Sequence, residues 1–279
     1  MEIMTLTSAT EVAPTLNDPN AAYREVTEAE VDALRKKHAW IAEPLITASD
    51  LVAQMPFYQW LRGIESPLDF APVAKQLYFH SATFPKVLGL MLGFTPLSEN
   101  IMMPFYSKHA FGEADHCELL VEWMLKHGIL SHRDELNEVI VTPETNACVN
   151  MGYQLAIERD RANWVIAMNC GIERCSNDFF GVASRKMHDI GSGDIYFDIH
   201  VEADEFHSIM GMEHLDVMDP NSVAGKKLIA KGLESVSAWA AMIHSWIGID
   251  YHPKFNMDGS LKSACMTLPA TKVDDITTD

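Results

Sequence analysis

Basic residues are scarce in this chain: 21 Lys and Arg stand against 39 Asp and Glu, a formal net charge of −18. Nucleic-acid binding needs cations that displace counterions from phosphate, so this balance argues against it. It argues equally against an anionic membrane surface. No apolar run approaches the roughly 20 residues needed to span a bilayer. The opening MEIMTLTSATEVAPTLNDPN has neither a basic start nor a long apolar stretch, so no signal peptide is read there. Cys117, Cys148, Cys170, Cys175 and Cys265 include no CxxC pair. An odd, scattered set reads as reduced thiols, and the expectation is a cytoplasmic protein. HExxH and a glycine-rich phosphate loop are missing, and Ser, Cys and His form no nucleophile pattern.

What is present is helical periodicity. The 279 residues, 48% of them hydrophobic, suffice for one large domain or two small ones. Apolar residues recur every three to four positions almost throughout. The spacing predicts helices over 27–40, 48–62, 68–93, 98–128, 132–139, 145–175, 176–189, 194–217 and 221–247. Thr27 and Glu30 have the form of a capping box. Gly128 suits the left-handed residue after a helix, GSGD breaks one helix before IYFDIH, and Asn221 or Ser222 suits the next cap. The expectation is an all-α, single-domain bundle of about seven to nine helices. It covers residues 26–250, with an N-terminal tail over 1–25 and a C-terminal tail over 251–279.

Two stretches echo each other: HAFGEADH, residues 109–116, and HVEADEFH, residues 200–207. A helix turns about 100° per residue, which puts Asp204 near ~40° and His207 near ~340° from His200. The same arithmetic places His109, Glu113 and His116 on one stripe. Imidazole and carboxylate together suit Fe, Mn and Zn. Glu-x-x-His is the spacing by which helical bundles build di-iron sites. Glu113 and His116 fit it, and Asp204 and His207 are its aspartate version. A single helical histidine is more often a surface or satisfied core residue, but two matched stripes favour metal. A further carboxylate is wanted, and Glu173 follows the apolar VIAMNCGI, where a carboxylate is costly unless paired or bound. Glu158, in AIERDR, reads as a solvated face.

These residues carry a family resemblance. YFDIHVEADEFH resembles the last ligand helix of the heme-oxygenase-like di-iron oxidases and oxygenases, which share a fold with thiaminase-like and quinone-synthase-like proteins. EADHCELLVEWMLKHG, with Glu113, His116, Trp123, His127 and Gly128, is similar to the alkene-forming fatty-acid decarboxylase branch, as is Asn169-x-x-Ile172-Glu173. The resemblance covers residues 109–207. It implies six metal-binding and catalytic residues: Glu113, His116, Glu173, His200, Asp204 and His207. It also implies two Fe(II) ions, with O2 as co-substrate. His109 is a departure, since other branches have a glutamate there; a ligand, a group supporting a ligand and a mere neighbour are all open to it.

The activity so implied is O2-dependent oxidation of a small carboxylate-bearing molecule, an amino acid or medium-chain fatty acid. Oxidative decarboxylation, desaturation, C–C cleavage and N-oxygenation are within the family's range. The partners implied are a small-molecule substrate, with room for an external electron donor and a homodimer, and neither nucleic acid nor membrane. Arg174, Arg159, Lys108 and Arg185 are near enough in sequence to meet a substrate carboxylate, although solvated surface is the plainer reading. Cys170 and Cys175 flank Glu173, and ENIMMPFY and DFF could wall a pocket; inert thiols and core packing are the plainer readings. The rivals are a hemerythrin-like O2 or metal carrier and a metal-free thiaminase-like or quinone-synthase-like relative.

Overall fold

Helical spacing becomes helix in the computed structural model, which describes residues 27–267. The order is α1 (Glu28–Lys37), α2 (Ala39–Val52), α3 (Pro56–Gly63), α4 (Ala71–Phe94), α5 (Met103–Gly112), α6 (His116–Lys126), α7 (Pro143–Glu158), α8 (Arg161–Trp164), α9 (Arg174–Asp189), α10 (Ile195–His207) and α11 (Val223–Ser245). A π-helical segment, Val165–Glu173, joins α8 to α9 into one rod. The expected all-α bundle is therefore present. The caps behave as read. Thr27 accepts from the Glu30 N–H while the Glu30 carboxylate accepts from the Thr27 N–H. Ser222 accepts from the Gly225 N–H, and Gly128 takes φ 71° just beyond α6.

The boundaries differ from expectation in instructive places. The single helix expected over 98–128 is a 3-10 turn, Leu97–Met102, followed by α5 and α6. The break falls at Glu113–Asp115, flanked by a weak helix former, Gly112, and a residue that favours helix starts, Asp115. The Glu113 N–H still reaches the His109 carbonyl at 3.0 Å, so the turn is tightened rather than unwound. The expected joint at 175/176 does not exist. The chain instead turns at Arg159, the one non-glycine residue with positive φ (59°) among those described. The Asp160 carboxylate then caps the long rod by accepting from the Asn163 N–H. The helix expected over 194–217 stops at His207, and α2 and α3 divide the span read as 48–62. Residues 132–139 hold only a 3-10 turn, Arg133–Glu138.

Part of the expected C-terminal tail is a hairpin. β1 (Asp250–Phe255) pairs antiparallel with β2 (Leu261–Thr267). Tyr251 and Pro253 face inward and Asp250, His252 and Lys254 outward, a short period-two pattern that a scan for helices passes over. The expected N-terminal tail, 1–25, lies outside the described residues.

The long apolar helix α11 packs against the π-helical segment, α2, α7 and β1; α4 packs against α5, α6 and α7; α9 lies on α10 and α3. Trp123, Trp164 and Trp239 are fully buried. Trp123 Nε1 donates to the Ser192 carbonyl at 2.9 Å, fixing the end of α6 to the loop before α10.

Where α11 crosses the π-helical segment, Gly171 leaves no room for a side chain: a Cβ there would overlap Ser235 Oγ. Gly171→Ala is expected to cost about 1–3 kcal/mol through overpacking. At roughly 2–4 °C per kcal/mol, thermal unfolding shows it as a lowered Tm. Adding Ser235→Gly should return most of the loss.

Candidate metal centre

Four segments bring the titratable residues together. His109 lies in the last turn of α5, Glu113 sits in the tightened turn, and His116 opens α6. Glu173 closes the π-helical segment, and His200, Asp204 and His207 lie along α10. Every one is buried, from 1% exposed for His109 and Asp204 to 8% for His116. So the two echoing stretches face each other. The stripe on α10 is the helical one foreseen; that of 109–116 survives the helix break because Glu113 still closes a turn on His109.

The distances define a cluster. His207 Nδ1 lies 3.6 Å from Glu113 Oε1, 3.9 Å from Glu173 Oε2 and 3.5 Å from Asp204 Oδ1, so one nitrogen touches all three carboxylates. His116 Nδ1 is 2.9 Å from Glu113 Oε2. His109 Nε2 is 3.1 Å from Glu173 Oε1 and 3.9 Å from Glu113 Oε1. The rings of His109 and His207 stand 4.0 Å apart, those of His116 and His200 4.5 Å.

The donor atoms fall into groups whose members lie within 4.8 Å of one another. Glu113, His116 and His200 form one; Glu173, Asp204 and His207 form a second; His109 joins Glu113 and His207 in a third. Several of these atoms make no well-aligned hydrogen bond despite burial: both nitrogens of His109, Nδ1 of His207, and Oε1 of Glu173. Buried polar atoms without a hydrogen bond are rare and costly. Three carboxylates share this space, and none of the residues walling the cavity beside them is Lys or Arg. Two divalent cations would satisfy both the orphaned atoms and the charge, and N/O donors of this kind suit iron.

The electrostatics follow from crowding. Burial, then the charges of Asp204 and Glu113, hold the Glu173 carboxyl well above the usual carboxylate range, against the pull of His207. Glu113 is also pushed up by burial, but its hydrogen bond to His116 and the charges of His116, His200 and His207 bring it below that range. Burial lowers His109 and His200. His116 resists the same burial and is raised by Glu113.

The surrounding residues orient the cluster. His200 Nδ1 lies 2.6 Å from the Tyr196 carbonyl, so its proton sits there and Nε2 is left as the donor atom. Ser176 Oγ donates to Asp204 Oδ2 at 2.7 Å, leaving Oδ1 on the His207 side. Asn169 Nδ2 donates to the His207 carbonyl at 3.0 Å and so ties the π-helical segment to the end of α10. Phe180 stacks on His200 at 4.0 Å, the part of DFF that does wall the site, while Phe179 goes to the core.

Sequence reasoning missed His80. It lines the cavity from α4 with Leu77, Ser81 and Phe84, and its ring stacks on Phe84 and meets Trp239 edge-on. Burial lowers it to about 4, so the ring is neutral at physiological pH. The available signal was a histidine in the apolar run LYFHSATF, at helical spacing from Leu77 and Phe84. Several other candidates sit elsewhere. Arg174 pairs with Asp178 at 3.2 Å and Asp50 at 3.5 Å, and Arg159 lies over the Phe94 ring. Neither they, nor Lys108 or Arg185, line the cavity, and nor do Cys170 and Cys175. Glu158 is exposed and accepts from Gln154 Nε2. Trp123, His127 and Gly128 serve the end of α6 rather than the cluster.

Comparison with known proteins agrees with this picture. A family model described as iron-containing redox enzyme matches residues 71–239, a span that contains the whole cluster. The fold is similar to that of a TenA homolog from Pseudomonas syringae pv. tomato str. DC3000, with a TM-score of 0.57 and 14% identity. That alignment covers 77% of this chain and 91% of the other, and at such identity it speaks for the fold alone. A search of curated proteins finds no match.

Proposed function

Because the chain belongs to the iron-containing redox enzyme family, we propose that it is an O2-activating non-heme di-iron oxidase or oxygenase acting on a small carboxylate-bearing substrate. One observation carries the reading: two separate three-residue donor groups, each of imidazole and carboxylate, lie side by side in one buried cluster. Glu113, His116 and His200 would hold one ion, and Glu173, Asp204 and His207 the other. His109, between Glu113 and Glu173, would complete either. Bound Fe(II) supplies the electrons that reduce O2.

The protein's own residues do the rest. Tyr196 and Ser176 fix the donor atoms of His200 and Asp204 before any ligand arrives. Phe84, Phe180, Ile172 and Trp239 keep bulk water from the cluster, which protects a reactive oxidant from side reactions. With no lysine or arginine on the walls, a metal held by these residues would be the cationic partner for a substrate carboxylate. His80 is the polar side chain left to orient it. Decarboxylation, desaturation, C–C cleavage and N-oxygenation all remain compatible with this arrangement, and an external donor would return the cluster to Fe(II).

His109 favours one rival, a hemerythrin-like carrier, because it makes the donor set richer in histidine. Protein loaded anaerobically with Fe(II) separates the readings when exposed to O2 alongside a panel of amino acids and C4–C12 fatty acids. The oxidase reading expects two irons per chain and O2 consumption accelerated by one class of the panel. A reversible O2 adduct with no consumption would favour the carrier. Iron below one equivalent would sink the di-iron reading and favour a metal-free relative.

A further inference from the structure

A second cavity adjoins the cluster. It shares His80, Phe84 and Ile172 with the first, but its remaining walls are almost wholly apolar: Val87 from α4, Val149 and Gly152 from α7, and Met168 from the π-helical segment. Its volume is about 20 Å³. That is no larger than the polar space beside the cluster, but its walls offer nothing to hold a carboxylate or an ammonium group, and it is ample for a diatomic gas. It is also a poor place for water, which needs two to four polar partners. Among the lining residues, Thr83 and His80 carry the polar side-chain atoms, with the thiol of Cys148 and the thioether of Met168 as weak ones. Thr83 and Val149 are partly exposed, so the outer end of the cavity lies near the surface between α4 and α7, while Ile172 adjoins Glu173 at the inner end.

We propose that this cavity admits and holds dioxygen, delivering it to the cluster past Ile172, by a path separate from the polar space that receives substrate. The inference rests on the iron-oxidase reading for its purpose, though not for its chemistry. Dioxygen has no net dipole and no hydrogen-bonding demand, so it partitions from water into apolar space as xenon does. Gly152 keeps the seam narrow yet open. A Cβ there would come within 3.1 Å of Val87 Cγ1 and 3.2 Å of Met168 Cε, although glycine inside a helix weakens it. The Cys148 thiol on the wall is pushed up to about 12 by burial and so stays protonated, the form slow to oxidise.

Xenon and stopped-flow O2 mixing test the proposal together. Xenon pressure on the purified chain, with or without iron, should shift the methyl NMR signals of Val87, Met168 and Ile172, and Val149→Phe at the outer mouth should abolish the shift. In Fe(II)-loaded protein Val149→Phe should slow the reaction with O2 about tenfold or more at unchanged iron content, while Val87→Ala should leave it equal or faster. Methyl signals indifferent to xenon would overturn the cavity's ligand class. So would an unchanged O2 rate in a Val149→Phe protein that has lost xenon binding. Because the xenon result needs no iron, a failure of the iron reading would appear only in the metal content and would be told apart from a failure here.

Discussion

Replacing His200 with alanine is expected to leave the chain with one tightly bound iron instead of the two proposed. The His200 Nδ1 is committed to the Tyr196 carbonyl, 2.6 Å away, so Nε2 is the ring atom that would donate to an ion. Phe180 stacked on one face and Tyr196 against another prevent a neighbouring side chain from swinging in as a substitute. The Glu113–His116 pair left behind offers two donors to one Fe(II), and affinity at that position should fall by well over the 10–100-fold typical of losing a supporting hydrogen bond. Ser176→Ala supplies the internal comparison, since it removes only the hydrogen bond that orients Asp204. Anaerobic Fe(II) titration with metal analysis checks both. Two irons retained by the His200→Ala protein would remove this histidine from the ligand set. His109→Ala, measured the same way, tells a ligand from a neighbour.

Glu173→Gln is expected to raise the stability of the metal-free protein while lowering that of the iron-loaded form. Burial and the charges of Asp204 and Glu113 hold the Glu173 carboxyl well above the usual range in the folded state. A raised folded value means that the folded state binds the proton more tightly than the unfolded one. The stability so contributed is fully present below the unfolded value and is lost as pH rises through the folded one. Glu113 works in the other direction, contributing stability above its unfolded value that is lost as pH falls through its depressed folded value. Near neutral pH the metal-free protein therefore carries the cost of crowding Glu173 against two carboxylates. The uncharged glutamine removes about 1–3 kcal/mol of that cost, and Tm rises by several degrees. With iron bound the sign reverses, because a ligand present at 100 times its Kd contributes about 2.7 kcal/mol, most of which the variant forfeits. Thermal unfolding with and without Fe(II) gives both signs, and a fall in both states would mean that Glu173 is a structural carboxylate rather than a metal-facing one.

How much of this could be read from the sequence differs from residue to residue. The α10 stripe was legible because His200, Asp204 and His207 are spaced by four and three on one uninterrupted helix, so local geometry alone sets their direction. Glu173 was legible for an energetic reason, a carboxylate at the end of an apolar run. The first stripe was legible in outcome but not in form. The chain breaks at Glu113–Asp115, yet a single retained hydrogen bond from Glu113 to His109 keeps the residues aligned. The π-helical register of Val165–Glu173 left no mark in the sequence, and the close approach of Gly171 within it to Ser235 on α11 involves a residue far away in the chain. The hairpin escaped for a different reason: its alternating pattern is too short to stand out beside long helices.

The sequence by itself determined the fold class, the acidic surface, and the chemical identity and helical spacing of the donors, because these follow from residue type and the pitch of a helix. Only the tertiary structure decided that α5, α6, the π-helical segment and α10 turn their donors toward one point. It alone set His109 between two carboxylates, brought His80 from α4 into the wall, and left an apolar cavity beside the cluster. Periodicity fixes where a side chain points on its own helix; which other helix it meets depends on packing between residues distant in the chain, and no local pattern records that.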